Sequence, residues 1–164
     1  MRMSCHVDSI QNSEVCDMQF VYPAKFEKDP DGGILVTFPD VPEAITGGQD
    51  RKEARAMAED ALAVALLARV QDDEPLPAPS PLQDGLEAIA VPASVAAKLA
   101  LIALWRRSGL SKSALARKLG VDEKVVRRML DPDHKTSLSR LERAIQALGG
   151  RLVISTLEDH AETA

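Results

Sequence analysis

Lys124, Arg127 and Arg128 crowd one short segment of the stretch Leu110–Leu130, LSKSALARKLGVDEKVVRRML. Side chains of this type reach phosphate oxygens and the acceptor edge of guanine, so their chemistry is recognition of a polyanion. Their neighbours extend the set. Val125 suits contact with a thymine methyl, Glu123 can accept from cytosine N4 or simply favour a helix start, and Lys112 is placed for a backbone phosphate. A second group with chemical potential is Asp29, Asp31 and Asp40, because a metal-dependent nuclease needs several carboxylates converging on divalent ions. Asp29 and Asp31, however, lie in a Pro/Gly run where Asp is favoured for turn geometry alone, and Asp40 sits between prolines in FPDVP. His6, His134 and His160 fall in loops or tails, and Cys5 and Cys16 have no CxxC spacing. The expectation is a protein that binds rather than catalyses, with no cofactor and no metal.

The cations need a scaffold, and the flanking residues supply one. Ser111 can cap a short helix whose buried positions are Leu115, Ala116 and Leu119. Gly120 provides the tight turn, Val121 plugs the core, and Asp122 caps the next helix. Small Ala116 lets the two helices cross closely. This is a helix-turn-helix pattern, with Val126, Met129 and Leu130 inward and Glu123, Lys124, Val125, Arg127 and Arg128 outward. Helices are predicted over 93–108, 112–119, 123–130 and 138–148, separated by Gly109, Gly120 and Asp131-Pro132. Trp105, among Leu101, Ile102 and Leu104, is expected in the core.

The preceding half reads differently. Phe20, Tyr22, Ala24 and Phe26 alternate with other residues, a turn-rich KDPDGG follows, and Ile34, Val36 and Phe38 alternate again: a β-hairpin. Glu43 to Thr46 is expected as a short third strand ending at Gly47-Gly48. Asp50 and Glu53 form a capping box, and Ala54, Met57, Ala58, Ala61, Leu62, Ala65 and Ala68 make a helical stripe that ends near 69–71. Four alternating prolines in residues 75–81 are extended and semi-rigid, and Leu86 to Val91 reads as a final strand. The fold class expected is therefore α+β: a βββαβ unit over 18–92, an all-α unit over 93–157 with a possible terminal strand (RLVISTL), a flexible extension at 1–17, with Met18 as a possible true start, and a frayed, disordered tail at 158–164.

A net charge of −5 conceals a division. Residues 18–85 carry 6 Lys/Arg against 13 Asp/Glu, whereas residues 86–157 carry 13 against 6. The basic half suits a polyanion and the acidic half a basic protein. No apolar run approaches the ~18 residues of a membrane span, and the first residues have no apolar core like that of a secretory signal, so a cytoplasmic location is expected.

Region 95–150 resembles the Xre/Cro-type helix-turn-helix family on the words LSKSALARKLGV, VVRRML and SLSRLERAIQALGG. Its loop Asp131-Pro132-Asp133-His134-Lys135 departs from the usual Asn/Gly/Lys version by being more acidic. Residues 20–80 resemble the HicB antitoxin domain on FVYPAKFEKDPDGGILVTFPDVP, ITGGQDRKEARAMAEDAL and DDEPLPAPS. That resemblance implies a partial ribonuclease-H-like fold in the first half. It implies a partner, a small basic HicA-type toxin that cleaves mRNA, whose active site the domain blocks. It also implies that the second half represses the operon by binding double-stranded promoter DNA. The exposed candidates for toxin contact are Tyr22, Glu27, Asp29, Asp31, Asp40 and Glu43, on the hairpin and its exit. Xre-type folds usually read near-palindromic half-sites, so a homodimer or higher homo-oligomer is expected, and RLVISTL is a candidate to pair across its two-fold axis. The rival readings are a stand-alone transcription factor whose first half senses a ligand, and a nuclease.

Overall fold

A computed structural model describes residues 17–157. The expectations for the first residues and for the tail, and with them Cys5, Cys16, His6 and His160, lie outside the described residues. The elements run β1 (Val21–Lys28), β2 (Ile34–Thr37), β3 (Ile45–Gly48), α1 (Arg51–Gln71), β4 (Leu86–Ala90), α2 (Ala93–Ser108), α3 (Lys112–Leu119), α4 (Glu123–Met129) and α5 (Leu138–Ala147). This is the α+β class that the pattern predicts.

The four strands form one antiparallel sheet in the order β3-β2-β1-β4. Its register follows the alternation of the sequence. Phe26 pairs with Val36, and Tyr22 with Ile89, so the apolar set of β1 faces the same side as the apolar sets of β2 and β4. Helix α1 covers that side with buried Ala54, Ala58, Leu62, Ala65 and Leu66. Full burial of Leu62 and Leu66 contributes about 1.5–3 kcal/mol each. Met57 and Ala68, predicted in that stripe, are exposed instead, because the buried face is rotated toward Ala63, Leu66 and Val70.

Helix α1 begins as its cap residues require. The Asp50 carboxylate accepts from Glu53 N at 2.9 Å, and Glu53 reaches back to accept from Gln49 N at 2.7 Å. On its sheet-facing flank Arg51 and Arg55 both donate to Glu87 of β4, which ties the helix to the far edge of the sheet.

Two expectations for strands need correction. The third strand is not Glu43 to Thr46 but Ile45–Gly48. Ala44 N donates to Val41 O at 2.9 Å in a turn that occupies the earlier residues. Gly47 and Gly48 belong to the strand rather than ending it, because a Cβ on Gly48 would stand 2.4 Å from Ala54 N. The glycine permits the sheet edge to touch the start of α1. The terminal strand also fails to form within one chain: residues 151–157 have no ladder partner among the described residues.

Helices α2 and α5 pack together, α3 and α4 pack on each other, and α2 also meets α1. Their core holds Leu99, Leu101, Leu115, Leu141 and Ile145. Arg106 of α2 donates to Val70 O at 2.7 Å and to the Asp73 carboxylate, fastening the helical part to the end of α1.

Candidate nucleic-acid and partner interfaces

Helix α3 starts at Ser111, whose Oγ accepts from Ala114 N at 3.1 Å. It stops at Gly120, which takes the left-handed conformation at φ 65 and ψ 37. Val121 N donates to Ala116 O at 3.1 Å and closes the three-residue turn into α4. Arg143 of α5 donates to Leu119 O at 3.1 Å, so the same turn is also held from behind.

On α4, Val126 and Met129 are buried, with Leu130 just after them, while Lys124, Arg127 and Arg128 are exposed and Glu123 and Val125 half-buried. The predicted inward set is thus buried, and of the predicted outward set Lys124, Arg127 and Arg128 face solvent, whereas Val125 packs partly against the core. Arg127 differs from its neighbours. Its Nε and Nη2 donate to Glu123 Oε1 at 2.9 and 2.6 Å, an i,i+4 pair along the helix. Lys124 and Arg128 make no such pair among the described residues, so their charge faces solvent unneutralised. Lys112 is exposed at the head of α3, with its ammonium 5.7 Å from the centre of the Trp105 ring. Trp105 is half-buried rather than core, and its Nε1 is buried with no hydrogen-bond partner among the described residues.

The loop after α4 has a support that the sequence reading missed. Lys98 of α2 is 5% exposed and donates to Asp131 O at 2.7 Å, to His134 O, and to Thr136 Oγ1 at 3.3 Å. All three ammonium donors are used on one loop. Burial pulls its pKa below the ordinary value, with Asp131 opposing the shift. A signal was available: Lys98 is the lone charge within the apolar run VAAKLALIAL.

The six candidates for partner contact divide. Tyr22 is not a surface residue; it is 1% exposed and its hydroxyl donates to Pro77 O at 2.8 Å. Burial, helped by Asp40, pushes its pKa up to about 12. Asp40 is half-buried and accepts from Ser80 N at 2.9 Å and Ser80 Oγ at 2.6 Å. These two contacts clasp the proline-rich segment onto the sheet. Glu43 is paired with Arg69, whose guanidinium holds its carboxyl below the usual carboxylate value. Asp29 accepts from Asp31 N at 2.9 Å, a turn stabilised by its own side chain. Glu27 pairs with Lys25 at 2.7 Å, and Asp31 is exposed at the hairpin tip. Asp31 is therefore the member of the set that presents charge outward with the least internal use among the described residues. Among the described residues no three His, Cys, Asp or Glu side chains group as metal ligands, and no helix is long and apolar enough to cross a membrane.

With this arrangement in view, similarity to known proteins becomes interpretable. Residues 21–100 match a family described as HicB-like antitoxin of bacterial toxin-antitoxin systems. The chain is 41% identical over 131 residues to Antitoxin HicB 2 of Photorhabdus laumondii, spanning 80% of this chain and 92% of that protein. The chain belongs to the HicB antitoxin family. It is also similar to Antitoxin HicB of Escherichia coli K12, at 37% identity over 80% of this chain and 95% of the relative. For Antitoxin HicB of Pseudomonas fluorescens the identity is 33%, over 84% and 94%. In each case the matched length exceeds the sheet and α1, so the likeness to HicB antitoxins extends into the helical part.

Proposed function

We propose that this HicB-family antitoxin neutralises a small basic HicA-type ribonuclease through its sheet and α1, and represses its own operon through α3 and α4. The boundary between the two tasks falls near residue 92. The observation that carries the DNA part is the unneutralised pair Lys124 and Arg128 on the exposed side of a helix whose other side is locked in a core. A helix so mounted fits the major groove, where Arg and Lys read guanine and the adjacent phosphates. In this reading Lys112 binds backbone phosphate, Val125 and Glu123 border the bases, and Arg127 exchanges its internal pair with Glu123 for a DNA contact. The Xre/Cro type of helix-turn-helix is the one this part resembles. The acidic balance of the first part complements a basic toxin and would speed and orient association. Both tasks are binding tasks in the cytoplasm, with no catalytic step, and the operator is read by a homodimer.

The test uses full-length protein and a duplex carrying the sequence upstream of its own reading frame, followed by fluorescence anisotropy at fixed salt. Lys124→Ala and Arg128→Ala are each expected to weaken binding by about 1–3 kcal/mol where the side chain reads a base. Operator affinity equal to wild type in both variants overturns the assignment of α4. For the other task, co-expression with the small basic protein encoded beside it should restore growth; persisting toxicity overturns neutralisation.

A further inference from the structure

Helix α4 is seven residues long, too short to hold its orientation by itself. Its own grip on the core is Val126 and Met129, and Asp122 at its N-cap makes no side-chain hydrogen bond to it. Two cations from neighbouring helices bracket it instead. Before it, Arg143 of α5 donates to Leu119 O at 3.1 Å. After it, Lys98 of α2 donates to Asp131 O at 2.7 Å, to His134 O, and to Thr136 Oγ1 at 3.3 Å.

The second of these grips is buried. Lys98 is 5% exposed and interrupts an apolar run that a leucine or methionine would continue. An ammonium withdrawn from water loses hydration that only good hydrogen bonds restore, so packing alone favours an apolar side chain at this position. What the ammonium adds is its three donors, and all of them serve the single loop between α4 and α5. They lie just beyond the C-terminal end of α4, where a positive charge suits the carbonyl end of a helix. The acidic character of that loop fits the same purpose. The Asp131 carboxylate accepts from Asp133 N at 3.0 Å, while its carbonyl accepts from both Lys98 and His134 N. The charge of Asp131 also attracts the ammonium and opposes the effect of burial.

We propose that Lys98 is a positioning residue for base recognition: it fixes the C-terminal end of α4 so that Lys124 and Arg128 meet a defined set of base edges. Base readout requires side chains held within about 0.5 Å of their place. Attraction to phosphate depends on charge and far less on that placement. Loosening the end of α4 should therefore weaken binding to the operator and spare binding to unrelated DNA. Lys98 lies beneath the loop and acts through α4, not by touching DNA.

This inference rests on the DNA task of the proposed function. The test compares full-length wild type with Lys98→Met on two duplexes of equal length and composition. One carries the sequence upstream of the reading frame and the other is its scrambled version. Fluorescence anisotropy is recorded at several salt concentrations, at a temperature where circular dichroism shows both proteins folded. Lys98→Met should weaken binding to the upstream duplex by about tenfold and change binding to the scrambled one by less than about twofold, with the salt dependence of wild type. Lys112→Ala, a phosphate contact in the same reading, should weaken both and lower the salt slope by about one. A residue that only stabilises the fold would change neither affinity once the protein is folded. Upstream affinity equal to wild type in folded Lys98→Met overturns the inference, and so does an equal loss on both duplexes. If Lys98→Met does not fold, Thr136→Val decides, because it removes one acceptor and leaves the ammonium in place. A loss confined to the upstream duplex then supports the positioning role, and unchanged affinity overturns it. A wild type that binds both duplexes alike overturns the DNA reading and this inference with it. A wild type and a Lys98→Met variant that separate the two duplexes by the same ratio overturn this inference alone.

Discussion

The sheet with α1 and the helical part use their charged side chains in opposite ways. In the first, Arg51 and Arg55 are committed to Glu87, Arg69 to Glu43, and Asp40 to Ser80, so much of its nominal surface charge is spent on internal fastening. In the second, Lys98, Arg106 and Arg143 fasten the frame to backbone carbonyls, and that leaves Lys124 and Arg128 outside it without counterions among the described residues. The difference teaches that net charge locates a partner only coarsely. What a region can offer is the charge left over once its own hydrogen bonds are subtracted, and by that measure the basic half offers the better defined charged surface.

The contrast can be broken or sharpened by experiment. The largest effect should come from the apolar frame beneath the sheet: Leu62→Ala, at a fully buried site, is expected to cost about 2–5 kcal/mol in denaturant unfolding. A cost under ~1 kcal/mol would mean that α1 is not seated as described. Next is Lys98→Met, which keeps the apolar stem and removes three donors. Unfolding should become easier by about 1–3 kcal/mol, because the Asp131 and His134 carbonyls lose their partner. Unchanged stability would show that the loop after α4 holds itself.

Tyr22→Phe should cost about 1 kcal/mol by removing the hydrogen bond to Pro77 O. Because Tyr22 is the only tyrosine, its ionisation can be followed by absorbance near the phenolate band, and it should titrate at about 12 in the folded protein against 10.0 when unfolded. A group with a raised folded pKa binds its proton more tightly in the folded state. Its stabilising contribution is therefore complete below pH 10 and is lost as pH rises toward 12. A folded-state midpoint at the ordinary tyrosine value would place the ring in solvent.

The smallest effect is reserved for Glu43→Gln. The carboxyl is largely solvated, so despite its lowered pKa the change should stay within about 0.5 kcal/mol. The sign is still informative: a lowered folded pKa makes the contribution present above the ordinary carboxylate value and lost as pH falls through the folded one. A large loss would show that the Glu43–Arg69 pair does more than an exposed bridge can.

Local chemistry was readable in advance. Asp50, Ser111 and Gly120 mark helix ends because a cap or a left-handed residue acts within one turn of chain, and each stands where its type implies. The outward set on α4 was legible for the same reason: Val126 and Met129 leave Lys124 and Arg128 only one side to face. What depends on distant partners was not. Gly47-Gly48 has the look of a terminator until α1 is laid against it. Tyr22 shares the alternation of Ala24 and Phe26, which already argued for burial, yet its hydroxyl suggested surface until Pro77 supplied an acceptor 55 residues away. Asp40 and Glu43 read as free carboxylates because Ser80 and Arg69 are remote in sequence.

The grip of Tyr22 on Pro77 and of Asp40 on Ser80 changes the nature of the connection between α1 and β4. A tether of that length, left to itself, would sample many paths and add slack to whatever it joins. Stitched down at two points, it becomes a short strap whose halves have little freedom of their own. Lengthening it by a few residues outside the stitches should be tolerated as a small bulge. Undoing both stitches at once would restore the slack and let the last strand of the sheet fray from its neighbour.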